Sequence, residues 1–337
     1  MQKNKQRTFK GLIAGTLLAL PLATLPATPV LAQAYPSKPI NVIVVFAAGG
    51  PSDTVARLLS DHLGRQFGQQ LVVENVAGAG GTTGTDRAAK AAPDGYTILT
   101  HHSGLTAAPA LYANLKYDAK TAFEPLGLIN TGPMVMLSRK TLETKNMAEL
   151  VAFLKEKGDK ATIGFAGVGS NSYVCATVLQ QLIGTKLSMV AYRGTGPAMN
   201  DLVGGQIDVL CDQATTAVPQ IQGGTVKAYA VTSGDRLGSL PNVPSNKEAG
   251  YSGFDVTIWN GAYAPKGTPK DVIEKWNAAI GKFVTDPVIV ERFAQTGTVP
   301  FPADMRSPAA HAKFLDSQFA FYDKMFAAAG VKKEEAK

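Results

Sequence analysis

The residues that could act on a small molecule are gathered at glycine-rich turns. Four segments stand out: AAGGPSD (47–53), AGAGGTTG (77–84), GVGSNS (167–172) and RGTGP (193–197). Each places Gly, Ser, Thr, Asn or Asp where an apolar run gives way to a helical pattern. Unpaired backbone N–H groups at a helix N-terminus carry about half a positive charge and bind carboxylate or phosphate without a basic side chain. Glycine lets such a ligand approach the backbone closely. For any single turn, ordinary helix capping by Ser52, Asp53, Thr82, Ser170 or Asn171 is the simpler explanation. Four turns spread over both parts of the chain favour an anion caught between two lobes, at the carboxyl ends of strands.

Other chemistry finds less support. The chain has no GxSxG, HExxH or SxxK motif and no P-loop. Of its four histidines, His62 and His311 fall in helical segments and read as surface residues. His101 and His102 end an apolar strand, where neighbours point to opposite faces and cannot hold one metal together. Gly78-x-Gly80 and Gly167-x-Gly169 each begin a dinucleotide fingerprint, but Thr83 and Ser172 occupy its third small position. Arg193, not an acidic residue, ends the strand that follows the second match. A secreted NADP-type oxidoreductase is therefore the alternative reading, with no cofactor required by the favoured one. Cys175 and Cys211 lie in apolar segments (YVCATVL, IDVLCD). They can pair as a disulfide in an oxidising compartment, or serve as small buried apolar residues.

Charge narrows the class of partner. With 33 Lys+Arg against 26 Asp+Glu the net charge is +7, a balance that raises the question of nucleic acid. Lys3, Lys5, Arg7 and Lys10 supply four of those charges ahead of an uncharged run, GLIAGTLLAL (11–20), and a Pro-containing stretch ending ATPVLAQA. A basic start, a short apolar middle and a small-x-small exit compose a secretory signal peptide, with Ala32 and Ala34 fitting the cleavage site. Pro21, Pro26 and Pro29 speak against a membrane anchor. Without residues 1–34 the balance is 29 basic to 26 acidic, or +3. No basic arm for nucleic acid remains, and an exported, soluble, periplasmic protein is expected.

The elements needed to position the turns follow from pattern. Residues 40–46 (INVIVVF), 70–74 (QLVVE) and 96–100 (YTILT) read as strands separated by helical segments, a β-α-β-α-β run with a mostly parallel sheet. A second run has strands at 161–166, 187–192, 207–211 and 226–233, with helices between them. Extended chain at 255–264, a helix over 270–284 and a final helix over 309–329 follow. Phe314, Phe319, Phe321, Tyr322 and Phe326 of the last helix read as core packing.

The segments FAAGGPSDTVAR, ENVAGAGGTTGTDRAAKAAPDGYT, YRGTGPAMNDLVGGQIDV and GAYAPKGTP, in that order between residues 35 and 330, resemble the periplasmic solute-binding receptors of tripartite tricarboxylate transporters, the Bug receptors. The resemblance implies an α/β, two-lobed type II periplasmic binding-protein fold, each lobe a mostly parallel or mixed sheet flanked by helices. It implies Venus-flytrap closure over a small carboxylate, delivery to membrane subunits of a tripartite transporter, no catalysis and a monomer. The second lobe would be an insertion, residues 133–254, between connecting strands at 133–137 and 256–262. Lobe one would then be residues 35–132 plus 255–337. Carried onto this chain, the ligand-binding positions are Ala48, Gly49, Gly50, Ser52 and Asp53, then Gly81, Thr82 and Thr83. In the second lobe they are Gly169, Ser170, Asn171, Tyr173, Arg193 to Gly196, and Asp212. Family members often carry His where this chain has Tyr173. With Phe46 and the His102–Ser103 strand end nearby, that Tyr suggests an aromatic carboxylate of the phthalate type. Trp259 reads as hinge packing.

Overall fold

The β-branched run INVIV forms β1 (Ile40–Val44), almost wholly buried, as a strand covered on both faces must be. In the computed structural model the described residues are 35–328 and 330–335; the expected signal peptide, with its cleavage near Ala32 or Ala34, lies outside them. After β1 come α1 (Pro51–Phe67), β2 (Leu71–Asn75), α2 (Thr82–Ala89) and β3 (Thr97–His102). Pro51 starts α1 at the position where proline's missing N–H costs nothing, and Gly68, at φ 64°, ends it in the left-handed turn that favours glycine. β1 lies between β2 and β3, parallel to both.

The next elements are α3 (Gly104–Leu111), β4 (Phe123–Arg139), α4 (Met147–Lys157), β5 (Thr162–Phe165), α5 (Asn171–Ile183), β6 (Ser188–Ala191), α6 (Thr195–Val203), β7 (Val209–Gln213), α7 (Ala214–Gln222) and β8 (Val226–Val231). Here β5 lies between β6 and β7, again parallel to both. The arrangement β6-β5-β7 therefore repeats β2-β1-β3, and α5 stands in its unit where α1 stands in the first. The chain then returns through β9 (Thr257–Pro265), α8 (Lys270–Phe283), α9 (Pro287–Gln295), β10 (Val299–Pro300) and α10 (Pro308–Ala328).

One long strand joins the two units. β4 is antiparallel to β9 as far as the Pro133–Thr257 pair, then antiparallel to β7 and β8 from Met134 and Val135 onward. The strand order is β2-β1-β3-β9-β4-β7-β5-β6, with β8 and β10 also on β4. Only the end of β4 had been expected as a strand. Its first half, FEPLGLINTG, breaks the period-two pattern because the ladder shifts register between Pro125 and Gly127 and between Leu128 and Asn130. On one side the core is built from α1 and α8 around the fully buried Trp276, whose Nε1 donates to the Tyr35 hydroxyl at 2.7 Å. On the other it is built from α4, α5, β7 and α10.

Three helices had not been anticipated. α3 contains Pro109; α4 and α9 carry readable caps, the Asn146–Glu149 box and Asp286 before Pro287. Two histidine readings change. His311 is fully buried, its Nε2 3.3 Å from the Tyr263 hydroxyl, because α10 lies directly on β9. His62 is half-buried against Phe283. In α10, Phe319, Tyr322 and Phe326 are core, whereas Phe321 is 54% exposed on the outer face. Cys175 and Cys211 are paired, Cα atoms 6.2 Å apart, and both are fully buried. No helix among the described residues is long and apolar enough to cross a membrane.

Burial holds three imidazoles neutral: His102 and His311 are pushed down to about 3, and His101 well below its ordinary value. The folded state thus binds fewer protons than the unfolded chain. Their contribution is intact above pH 6.5 and falls as pH drops toward 3, by about 1.4 kcal/mol per pH unit for each imidazole. Urea melts at pH 7, 6, 5 and 4 should show this loss, and His311→Gln should remove about one proton from the slope. A pH-independent stability across that range would contradict the burial argument.

Candidate ligand-binding site

Both parallel units end their strands on helix N-termini, and these ends converge. A small cavity between the units is lined by Phe46, Gly50, Pro51, Ser52, His102, Met134, Ala166, Ser170, Asn171, Ser172, Thr195 and Gln213. These residues include the starts of α1, α5 and α6 and Gln213, which directly precedes α7. None is charged. The enclosed space is ≈ 20 Å³, room for about one water. A larger guest requires the walls to part.

Backbone, rather than side chains, makes much of the contact across the cleft. The Ala47 amide donates to the Arg193 carbonyl at 2.9 Å. A Cβ placed on Gly196 would stand 3.0 Å from both the Ala48 oxygen and the Gly50 nitrogen; one on Gly104 would stand 3.0 Å from the Gly169 oxygen. A methyl on Gly80 would run into the Val168 carbonyl. The two partial dinucleotide fingerprints are thus pressed against one another. Two side-chain bonds also cross: Ser103 Oγ donates to Asn171 Oδ1 at 2.6 Å, and the Tyr112 hydroxyl donates to the Val168 carbonyl at 2.8 Å.

Of the expected positions, Phe46, Gly50, Ser52, His102, Ser170, Asn171 and Thr195 line the cavity. Ser170 also caps α5, accepting the Tyr173 amide at 3.2 Å. The rings of Phe46 and His102 stack on each other, centroids 4.8 Å apart and 14° from parallel. His102 Nδ1 accepts the Gly104 amide at 2.8 Å, which leaves the neutral ring its proton on Nε2. Asn171 Nδ2 and Gln213 Oε1 are buried with no partner among the described residues, a donor and an acceptor at one cavity. Such groups are costly unless something completes them.

Other expected positions support the walls. Asp53 accepts from the Gly49 amide, Arg57 Nε and Asn75 Nδ2, and Asn75 also donates to the Phe46 carbonyl, which knits the first turn together. Burial by itself would raise the Asp53 pKa, but Arg57, the Gly49 amide and Asn75 hold the carboxyl below its usual range. Asp212 is fully buried behind the cavity, where Thr216 Oγ1 donates to it at 2.5 Å; desolvation raises its pKa. Strand alternation explains the one-residue difference: Gln213 faces the cavity and Asp212 faces away. Gly81 packs on Val45 and His101, Thr82 bonds back to the Ala79 carbonyl, and Thr83 is exposed. Gly49 and Ala48 form the outer turn. Tyr173 stands outside the cavity, its ring against Phe165, and Arg193 is exposed. Trp259 is buried on Phe314 and donates to Gln318. Met134, Ala166, Ser172 and Gln213 had not been anticipated; of these only Gln213, closing a strand before a helix, carries a readable signal.

The sequence profile described as "Tripartite tricarboxylate transporter family receptor" matches residues 55–328. The chain belongs to this receptor family. It is 46% identical over 301 residues, 88% of this chain and 86% of its relative, to the UPF0065 protein in the TAR-I ttuE-ttuC' intergenic region of Agrobacterium vitis. The structure of the periplasmic binding protein BugD superposes with a TM-score of 0.86 at 44% identity, covering 89% of this chain and all of that one. MatC from Rhodopseudomonas palustris, solved with bound malate, superposes at 0.83 with 36% identity, covering 86% and 99%. The receptor accordingly has the two-lobed α/β fold of periplasmic binding proteins, and the cavity lies between its lobes.

Gly196 tests whether backbone contact sets closure, because its conformation tolerates a side chain and only the opposite lobe objects. Gly196→Val should hold the lobes apart, seen as a larger radius of gyration in small-angle scattering, with less than about 1 kcal/mol lost in unfolding free energy. An unchanged scattering profile would exclude that role.

Proposed function

We propose that this receptor is exported to the periplasm, captures a small carboxylate between its lobes and presents the closed form to the membrane subunits of a tripartite transporter. The observation that carries the reading is the convergence of the α1 and α5 N-termini, one from each lobe, on an uncharged cavity whose buried Asn171 Nδ2 has no partner. Backbone N–H groups and aligned helix dipoles then neutralise the carboxylate, with ordered water completing the shell. The lobes are residues 35–132 plus 255–337 and residues 133–254, and β4 and β9 are the strands between them. Ligand shifts the open–closed balance by its greater affinity for the closed form.

The ligand is an aliphatic acid rather than an aromatic one. Phe46 and His102 already occupy one face of each other, and Tyr173 lies away from the cavity, so the aromatic wall anticipated for a phthalate-type acid is not assembled. That MatC was solved with malate agrees with this choice. Thermal-shift titration of residues 35–337 with L-malate, succinate, adipate, citrate and phthalate tests it. An aliphatic acid at about 100 times its dissociation constant should add roughly 2.7 kcal/mol of apparent stability. Phthalate giving the largest shift would overturn the aliphatic choice, and no shift with any of them would overturn the receptor reading. Because His102 is neutral throughout, affinity should show no break between pH 5.5 and 8.

A further inference from the structure

The Cys175–Cys211 disulfide lies directly beneath the cavity, and its two ends are in phase with the two unpartnered amides. On α5, Asn171 and Cys175 are four residues apart and share one face of the helix. On β7, Cys211 and Gln213 are two apart and share one face of the strand. The bond joins α5 one turn beyond Asn171 to β7 two residues before Gln213, and so ties together the two segments from which those amides reach the cavity wall. Both sulfur-bearing residues are fully buried, in the same apolar cluster as Val174, Ala176 and Leu179.

We propose that this disulfide positions the second-lobe half of the binding site by holding the N-terminal turn of α5 in register with the end of β7. The hydrogen bonds of the first turn of α5 run to other elements: Ser172 Oγ accepts the Ala166 amide after β5, and Asn171 Oδ1 accepts from Ser103. β7 is paired with β5 only at Val209 and Leu210 and with β4 along its length, so the disulfide is the covalent tie between α5 and the end of β7. The opposite wall has a comparable tie in Asp53, which binds Gly49, Arg57 and Asn75. A cross-link that merely restricts the unfolded chain stabilises every part of a cooperative fold alike. A positioning cross-link acts where it sits, and the two roles are separated by where protection is lost.

The inference rests on the carboxylate-receptor reading for its functional meaning, but its test does not need a ligand. The variants are Cys175→Ala/Cys211→Ala and, to fill the space left, Cys175→Ala/Cys211→Val, compared with the native receptor by amide hydrogen exchange. Peptides spanning residues 167–176 and 209–216 should exchange at least about tenfold faster, while those spanning 40–46 and 97–102 keep their native rates. Equal acceleration in all four regions, or failure of both variants to fold, would overturn the proposal and leave the bond a staple of the whole chain; unchanged rates everywhere would overturn it as well. The dicarboxylate arm uses L-malate: where the native receptor binds it, the variants should bind at least about fivefold more weakly, and equal affinity would also overturn positioning. If the native receptor does not bind L-malate, the exchange result still decides the role of the disulfide.

Discussion

The cleft depends on backbone meeting backbone. At Gly50 and Gly196, at Gly80 and Val168, and at Gly104 and Gly169, main chain from one lobe approaches main chain from the other so closely that a Cβ would intrude. A Cβ at Gly80 would collide with the Val168 carbonyl, and one at Gly196 or Gly104 would press the opposing backbone outward. The helix ends would then belong to two separate surfaces. Because the glycines are bare, α1 and α5 point into one cavity, and the weak partial charges of several helix termini act over the same few ångströms, where low dielectric strengthens them.

An uncharged wall follows from this economy. A lysine or arginine in so small a space would need a permanent counter-ion, and burying it unpaired would cost far more than an amide does. The ionisable groups around the cavity are instead silenced. Asp53 is committed to Arg57, Asn75 and the Gly49 amide; Asp212 is shut behind the wall and bound by Thr216; His102 is neutral and pinned by the Gly104 amide. Each of these groups shapes a turn, and none presents a net charge to the cavity. On the wall, Asn171 Nδ2 and Gln213 Oε1 are polar atoms buried without a partner among the described residues, and Asp212 Oδ1 behind it is another.

The doubled architecture supplies the symmetry of the site. β6-β5-β7 repeats β2-β1-β3, and the helix that follows the central strand of each unit delivers the principal N-terminus. β4 spans both units without interruption, so the lobes are joined by a paired strand rather than a loose linker.

Much of this was legible in the sequence. Apolar β-branched runs, glycine turns and helix-capping residues are local features, so the alternating elements and the N-terminal ends of α1 and α5 could be read from residues 40–60 and 161–183 alone, and the segments between 35 and 330 carried the family. Distant packing was not legible. Asp212 and Tyr173 belonged to the right segments, yet one step of strand alternation put Gln213 on the wall, and packing against Phe165 took Tyr173 away from it. His311 looked like a surface residue until α10 was laid on β9. The cysteines fitted either a bond or simple burial until α5 was set against β7. Local chemistry thus determined which turns could hold an anion, because a helix end binds through its own backbone. Only the tertiary structure decided which of those turns share a cavity, because that depends on how closely two main chains far apart in sequence can approach.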